Sequence, residues 1–127
     1  MLKRPLNSRF SQAVLDGRKF TTIRPKPWPV GSPIMLYNWS GAAYRSKQAD
    51  VAPVIVSGFW PITIAQTDEG EMRYAYGMEN EKPLWETEGF ESRDDMDEWF
   101  SAVVRPGQSV TRWLMRFSLA NTERGEG

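Results

Sequence analysis

Gly17-Arg18-Lys19-Phe20-Thr21-Thr22-Ile23-Arg24 is where this chain passes from a helix pattern to a strand pattern. Upstream, Phe10, Ala13 and Val14 fall at i, i+3 and i+4, one face of a short helix that Asn7 or Ser8 can cap. Gly17 suits the closing position of such a helix, because glycine takes a positive φ without strain. Downstream, residues 20–24 are aromatic and β-branched and read as a strand. This junction has a chemical consequence. In a regular strand Thr22 shares a face with Phe20 and Arg24, and Lys19 points the other way. Lys19 and Thr22 converge only if Lys19 sits in the turn ahead of the strand, or if a bulge resets the register.

Working outward, prolines at 25, 27, 29 and 33 make a stiff loop that ends in the turn Val30-Gly31-Ser32-Pro33. Strands are expected at 34–39, 51–60 and 62–64, with Pro53 and Pro61 marking an edge or a bend. Residues 41–50 read as a polar loop. Residues 67–88 are acidic, and 71–76 fit either a strand or a helix. A second helix is clearer. Ser92 caps it, Asp94 and Asp95 favour its positive N-terminus, and Met96, Trp99, Phe100 and Val103 form its apolar stripe. Pro106-Gly107 stops it. In the last strand Thr111, Trp113, Met115, Phe117 and Leu119 share one face, with Arg112 and Arg116 on the other. Trp99, Phe100, Trp113 and Phe117 are expected in the core. Short strands around two helices indicate an α+β fold. A small mixed β barrel is the expected form, since closure removes sheet edges, although an open sheet satisfies the same pattern.

A chain of 127 residues fits a single domain over 1–127, with a core at about 7–119 and a polar, flexible tail at 120–127. Apolar residues at 40% and aromatics at 13% exclude the disordered class. No apolar run approaches the roughly 20 residues that span a bilayer, so no membrane association is expected. The first residues, Met1-Leu2-Lys3-Arg4-Pro5, lack the apolar stretch of a secretory signal. The chain has no cysteine, which excludes a disulfide scaffold and is compatible with a cytoplasmic location.

The formal net charge is zero, but the charges are segregated. Residues 1–50 hold nine Lys/Arg against two Asp/Glu, and residues 51–104 hold three against twelve. If folding preserves that separation, the first third offers a basic face to phosphates. The acidic segment 68–98 offers a surface to a protein partner.

The absence of histidine and cysteine removes Ser/His/Asp triads, thiol nucleophiles and ordinary zinc sites. A lysine near a threonine is one of the few reactive pairings left. Threonine attacks an amide only when a base takes its proton, and lysine serves as that base only when desolvation or a neighbouring cation lowers its pKa. Arg18 and Arg24 are the candidate cations. Trp28, held between Pro27 and Pro29, together with Tyr37 and Trp39, are rings able to stack nucleobases, with Trp39 read as core rather than platform.

Taken together, Phe10, Gly17-Arg18-Lys19, Thr22-Ile23-Arg24, Val30-Gly31 and Tyr37-Asn38-Trp39 form a pattern that resembles the ASCH family, a branch of the PUA-like folds. Glu88-Gly89-Phe90-Glu91-Ser92, the following helix with Trp99-Phe100, and the strand from Trp113 to Phe117 extend the resemblance over about 10–119. It implies a pseudo-barrel with a central cleft, flanked by two helices, and a ligand that is RNA or nucleoside-like. Some small bacterial members are amidohydrolases acting on acetylated cytidine, and some members cut RNA. The lysine, threonine and glutamate of the amidohydrolases match Lys19, Thr22 and Glu88, and their arginine matches Arg24. This chain departs from them in its longer segments at 41–50 and 67–86, and in the exchanged polar and apolar character of Phe20 and Thr21.

The leading expectation is therefore a module that recognises RNA or a modified nucleoside, with Arg18, Lys19, Arg24, Trp28 and Tyr37 as ligand contacts. The alternative is a metal-independent and cofactor-free amidohydrolase using Lys19, Thr22 and Glu88. Further alternatives are a ribonuclease with Lys19 and Tyr37 or Tyr44 as acid and base, and a protein-interaction module.

Overall fold

The computed structural model describes residues 1–42 and 46–120, so Tyr44 and residues 121–127 of the expected tail lie outside the described residues. The strands are β1 (Leu2–Pro5), β2 (Thr21–Arg24), β3 (Pro33–Trp39), β4 (Gln48–Gln66), β5 (Met72–Tyr76) and β6 (Ser109–Leu119). The helices are α1 (Ser11–Leu15), α2 (Leu84–Thr87) and α3 (Arg93–Ser101). Asn7 caps the 3-10 turn that leads into α1, and Ser92 caps α3 by accepting from the Asp95 amide. Gly17 takes a φ of 78° after α1.

The strands form one mixed sheet in the order β1-β3-β4-β6-β2, with β5 added to β4. The α+β class is as expected, but the sheet does not close into a barrel: among the described residues β1 and β2 remain unpaired edges. Their sequences explain it. Each strand is four residues long, β1 ends at Pro5, and β2 runs into Pro25, where an amide donor is missing.

β4 replaces the two strands expected at 51–60 and 62–64. It runs through Pro61 because two neighbours share its one edge: β3 pairs up to Ile55 and β5 begins at Ile62. Pro61 falls in the interval between them, where that edge needs no donor. The other edge carries β6 from Val54 to Ala65, with a register shift between Val56 and Gly58. β1, β5 and α2 were not set out as elements by the sequence, although 71–76 was open to the strand it forms.

The core holds Val14, Ile34, Leu36, Val54, Val56, Ile62, Ile64, Met96, Leu114 and Met115, each at most 1% exposed. The simple alternation expected for β6 does not hold. Leu114 and Met115 are both fully buried, while Thr111 and Leu119 are exposed. Successive residues point to opposite faces, so both faces of β6 are covered at its centre. The stripe of α3 also shifts. Met96 and Phe100 are buried, but Trp99 is 37% exposed and Val104 takes the core place expected of Val103.

The acidic segment folds into β5, α2 and α3. Three of its carboxylates pair locally, as Arg73–Glu71, Lys82–Glu86 and Arg93–Asp97, while Asp95 and Glu88 pair with Arg9 and Lys19 from the first third of the chain. Among the described residues no helix is long and apolar enough to cross a membrane.

Candidate functional site

The gap left between β1 and β2 opens onto a cavity of about 330 Å³. Pro5, Leu6 and Asn7 line it from the end of β1, and Thr22, Ile23 and Arg24 from β2. Trp39 enters from the end of β3. Lys19 and Glu88 form its polar corner, while Phe10, Phe90, Trp99 and Phe100 form an aromatic wall.

Lys19 reaches this cavity because it is held in the turn. The Arg18 and Lys19 amides both donate to the Ala13 carbonyl, at 2.9 and 3.0 Å, and the strand begins only at Thr21. The alternation that would separate Lys19 from Thr22 therefore starts after Lys19, and both side chains line one cavity.

Lys19 is 4% exposed and Glu88 3%. The Lys19 Nζ donates to the Thr21 carbonyl at 2.7 Å and to the Glu88 carbonyl at 2.8 Å. It lies 3.7 Å from Glu88 Oε1 and 5.0 Å from the centre of the Phe10 ring. Burial drives the Lys19 pKa down from 10.5 to about 8; the Glu88 carboxylate opposes this and the Arg24 charge adds to it.

Glu88 follows α2, with its amide donating to the Leu84 carbonyl at 2.9 Å. Gly89 then takes a φ of 92°. A Cβ at Gly89 would stand 3.1 Å from Lys19 Cδ and 3.2 Å from Phe10 Cδ1, so a side chain there would press on the lysine stem and the Phe10 ring as well as strain the backbone. Glu88 Oε2 accepts from the Thr21 hydroxyl at 2.5 Å. Thr21 is fully buried and is not among the site residues expected from sequence; the signal available is its place two residues after Lys19 and next to Thr22.

Arg24 donates through Nε to Thr22 Oγ1 at 2.9 Å. That leaves the Thr22 hydroxyl hydrogen to be directed elsewhere. The two terminal nitrogens of Arg24 have no hydrogen-bond partner among the described residues. Burial lowers the Arg24 pKa, opposed by Glu88 and reinforced by Arg4. The guanidinium stays charged, since its ordinary value is so high.

The aromatic expectations need correction. Trp28 is 5% exposed and sits behind Arg24, whose guanidinium lies 4.6 Å from the centre of its ring. It therefore supports the arginine and has no open face for a base. Tyr37 is 8% exposed and packs edge-on against Trp39, which is the ring of this pair that lines the cavity. Arg18 is exposed and bonded to Asp16, away from the cavity lining. Trp99, expected in the core, belongs to the wall with Phe10 and Phe90, at ring distances of 5.5 and 5.8 Å. Arg9 covers this cluster from outside, 5.0 to 5.7 Å from the three ring centres, and is held by Asp95 at 2.5 Å.

Among the described residues no group of three or more carboxylates is placed to hold a metal ion. The cavity offers an amine, a hydroxyl, a guanidinium and a carboxylate around an apolar wall, a set able to bind a planar polar molecule and move protons on it. Comparison with known protein families, curated proteins and solved structures gives no match to this chain.

Proposed function

We propose that this chain is an ASCH-type module that holds a single modified nucleoside in this cavity and hydrolyses an amide on its base. The observation that carries the reading is that Lys19, Thr22, Arg24 and Glu88 line one cavity beside aromatic rings. A volume of about 330 Å³ suits one nucleoside-sized molecule, at the lower end of the roughly 300–1,000 Å³ of small-molecule sites. Stacking of successive bases, as a run of RNA requires, finds less support, because Trp28 and Tyr37 are buried. The cysteine-free composition fits work in the cytoplasm.

The hydrogen bonds of Lys19 suit a base. A neutral amine has two hydrogens, and the two carbonyls at 2.7 and 2.8 Å accept both. Its lone pair is then left to take a proton. With a pKa of about 8, a useful fraction of Lys19 is neutral near pH 7.

In the proposed reaction Lys19 takes the Thr22 hydroxyl proton as that oxygen bonds to the acyl carbon. The C–N bond breaks, and the leaving amine takes a proton from the Lys19 ammonium, directly or by way of Glu88. Water then cleaves the threonine ester: Lys19 takes a proton from the water as it adds to the acyl carbon and returns it to Thr22 Oγ1 as the C–O bond breaks. The products are the free amine and a carboxylic acid, and the hydroxyl is restored. Arg24 binds carbonyl oxygens of the base, and Glu88 Oε1 accepts from an N–H.

The test is turnover of acetylated cytidine and related acylated nucleosides, followed by mass spectrometry, with Lys19→Ala and Arg24→Ala as comparisons. Lys19→Ala is expected to abolish product. Arg24→Ala is expected to weaken nucleoside binding at least tenfold, about the 1.5–3 kcal/mol of a hydrogen bond to a charged group, with an unchanged circular dichroism spectrum. Full activity of the lysine variant would rule out Lys19 as the base and with it the proposed mechanism. Binding without turnover in the wild type would leave a nucleoside-recognition module.

A further inference from the structure

Glu88 has two carboxylate oxygens, and the fold treats them differently. Oε1 lies 3.7 Å from the Lys19 ammonium, and Oε2 accepts from the Thr21 hydroxyl at 2.5 Å. Thr21 is in turn 3.0 Å from the hydroxyl of Thr87, and Thr87 accepts from Asn80 Nδ2 at 3.2 Å. A carboxylate only accepts, so the single hydroxyl hydrogen of Thr21 goes to Glu88. The Thr21 oxygen is then left to accept from Thr87, whose single hydroxyl hydrogen is shared between Thr21 Oγ1 at 3.0 Å and the Leu84 carbonyl at 3.2 Å. Asn80, Thr87 and Thr21 thus donate in one direction, and the run ends on Oε2. Thr21 and Thr87 are both fully buried, so water does not replace either hydroxyl.

We infer that Thr21 is a positioning residue: it holds Glu88 Oε2 away from the ligand, so that Oε1 alone meets Lys19 and an N–H of the bound molecule. Valine at position 21 has the same shape without the donor. It would leave a buried carboxylate oxygen facing a methyl group, and rotation of the carboxylate relieves that contact. Misplacement by about 1 Å in a proton-transfer site costs on the order of 10²-fold in rate. Serine keeps the donor.

Only the kinetic half of the test rests on the amidohydrolase reading. Crystal structures of Thr21→Val and Thr21→Ser form the other half. The carboxylate is expected to turn in the valine variant and to keep its place in the serine variant; an unmoved carboxylate in Thr21→Val overturns the inference. In turnover of acetylated cytidine, Thr21→Val is expected to lose about 100-fold in kcat with little change in KM, and Thr21→Ser to stay within about threefold of wild type. Wild-type kcat in Thr21→Val, or an equal loss in both variants, also overturns it. If Thr21→Val does not fold, Thr87→Val removes the donor one step back and is expected to shift the carboxylate and lower kcat in the same direction, by less; no change in either measurement counts against the inference. Absence of turnover in the wild type speaks against the hydrolase reading, and the two structures still decide the role of Thr21.

Discussion

The two sides of the cavity are built on opposite rules. In the polar corner Lys19, Thr21 and Glu88 are 4%, 0% and 3% exposed; the Lys19 amine, the Thr21 hydroxyl and Glu88 Oε2 are hydrogen-bonded, and Glu88 Oε1 faces the amine at 3.7 Å. On the aromatic wall Phe10 and Phe90 are buried, but Trp99 is 37% exposed and its outer neighbour Arg9 is a surface residue. A buried ionic corner tolerates little, because a partner removed leaves a charge without solvent. A half-exposed ring contributes mostly area and contact. Chemistry is therefore assigned to the corner, and fit to the ligand to the wall.

The strongest way to break the corner leaves its charges alone. Gly89→Ala puts a Cβ 3.1 Å from Lys19 Cδ and 3.2 Å from Lys19 Cβ, at a φ of 92°. The left-handed backbone costs about 1–3 kcal/mol for a non-glycine residue, and overpacking adds about 1–3. A loss on the order of 4 kcal/mol is expected in urea unfolding, together with loss of turnover as the lysine stem is displaced. Wild-type stability in this variant would show that the lysine stem moves freely, contrary to the rigid corner described above.

The pH dependence of stability tests the same corner with a slightly smaller effect. The folded pKa of Lys19 is about 8, and its ordinary value is 10.5. Between those values the unfolded chain binds the proton and the folded chain has released it, so stability rises with pH through that window and levels off above it. A shift of this size is worth on the order of 3 kcal/mol. Unfolding measured from pH 7.5 to 10.5 should show this rise in the wild type and lose it in Lys19→Met. A wild-type stability that falls over the same range, with no difference from Lys19→Met, would mean that Lys19 is solvated.

The corner was more legible in the sequence than the wall, for physical reasons. Gly17 announced a helix stop, and that stop keeps Lys19 out of the strand and lets it meet Thr22. Thr21 escaped notice because a β-branched residue in a strand needs no further explanation. The four-residue helix α2 escaped because it lacks a repeated apolar stripe, although Gly89 after Glu88 is the same kind of stop signal as Gly17. For the rings, the sequence showed size and stiffness but not direction. Prolines 25, 27 and 29 marked a stiff loop with Trp28 as a ring able to stack a base, yet the ring is buried behind Arg24. Pro61 promised a break, and the staggered pairing of β3 and β5 along one edge of β4 made it harmless. Pairing partners distant in sequence decide such cases.

The smallest effect is expected where the wall is most open. Trp99→Ala removes edge-on contacts with Phe10 and Phe90 at 5.5 and 5.8 Å and one of the three rings under Arg9. Such ring pairs are worth about 0.5–1.5 kcal/mol beyond their area, and the exposed part of the ring loses little. Stability should therefore fall by about 1–2 kcal/mol, less than for either change in the corner. If Trp99 serves fit alone, KM for an acylated nucleoside should rise several-fold while kcat stays near wild type, the pattern of lost uniform binding. A kcat loss matching that of Thr21→Val would mean that the wall also sets the geometry of the corner. Because Phe10 touches both Trp99 and the Lys19 ammonium, the double variant Trp99→Ala with Phe10→Leu measures that coupling directly. Additive losses would keep corner and wall as separate parts of the site.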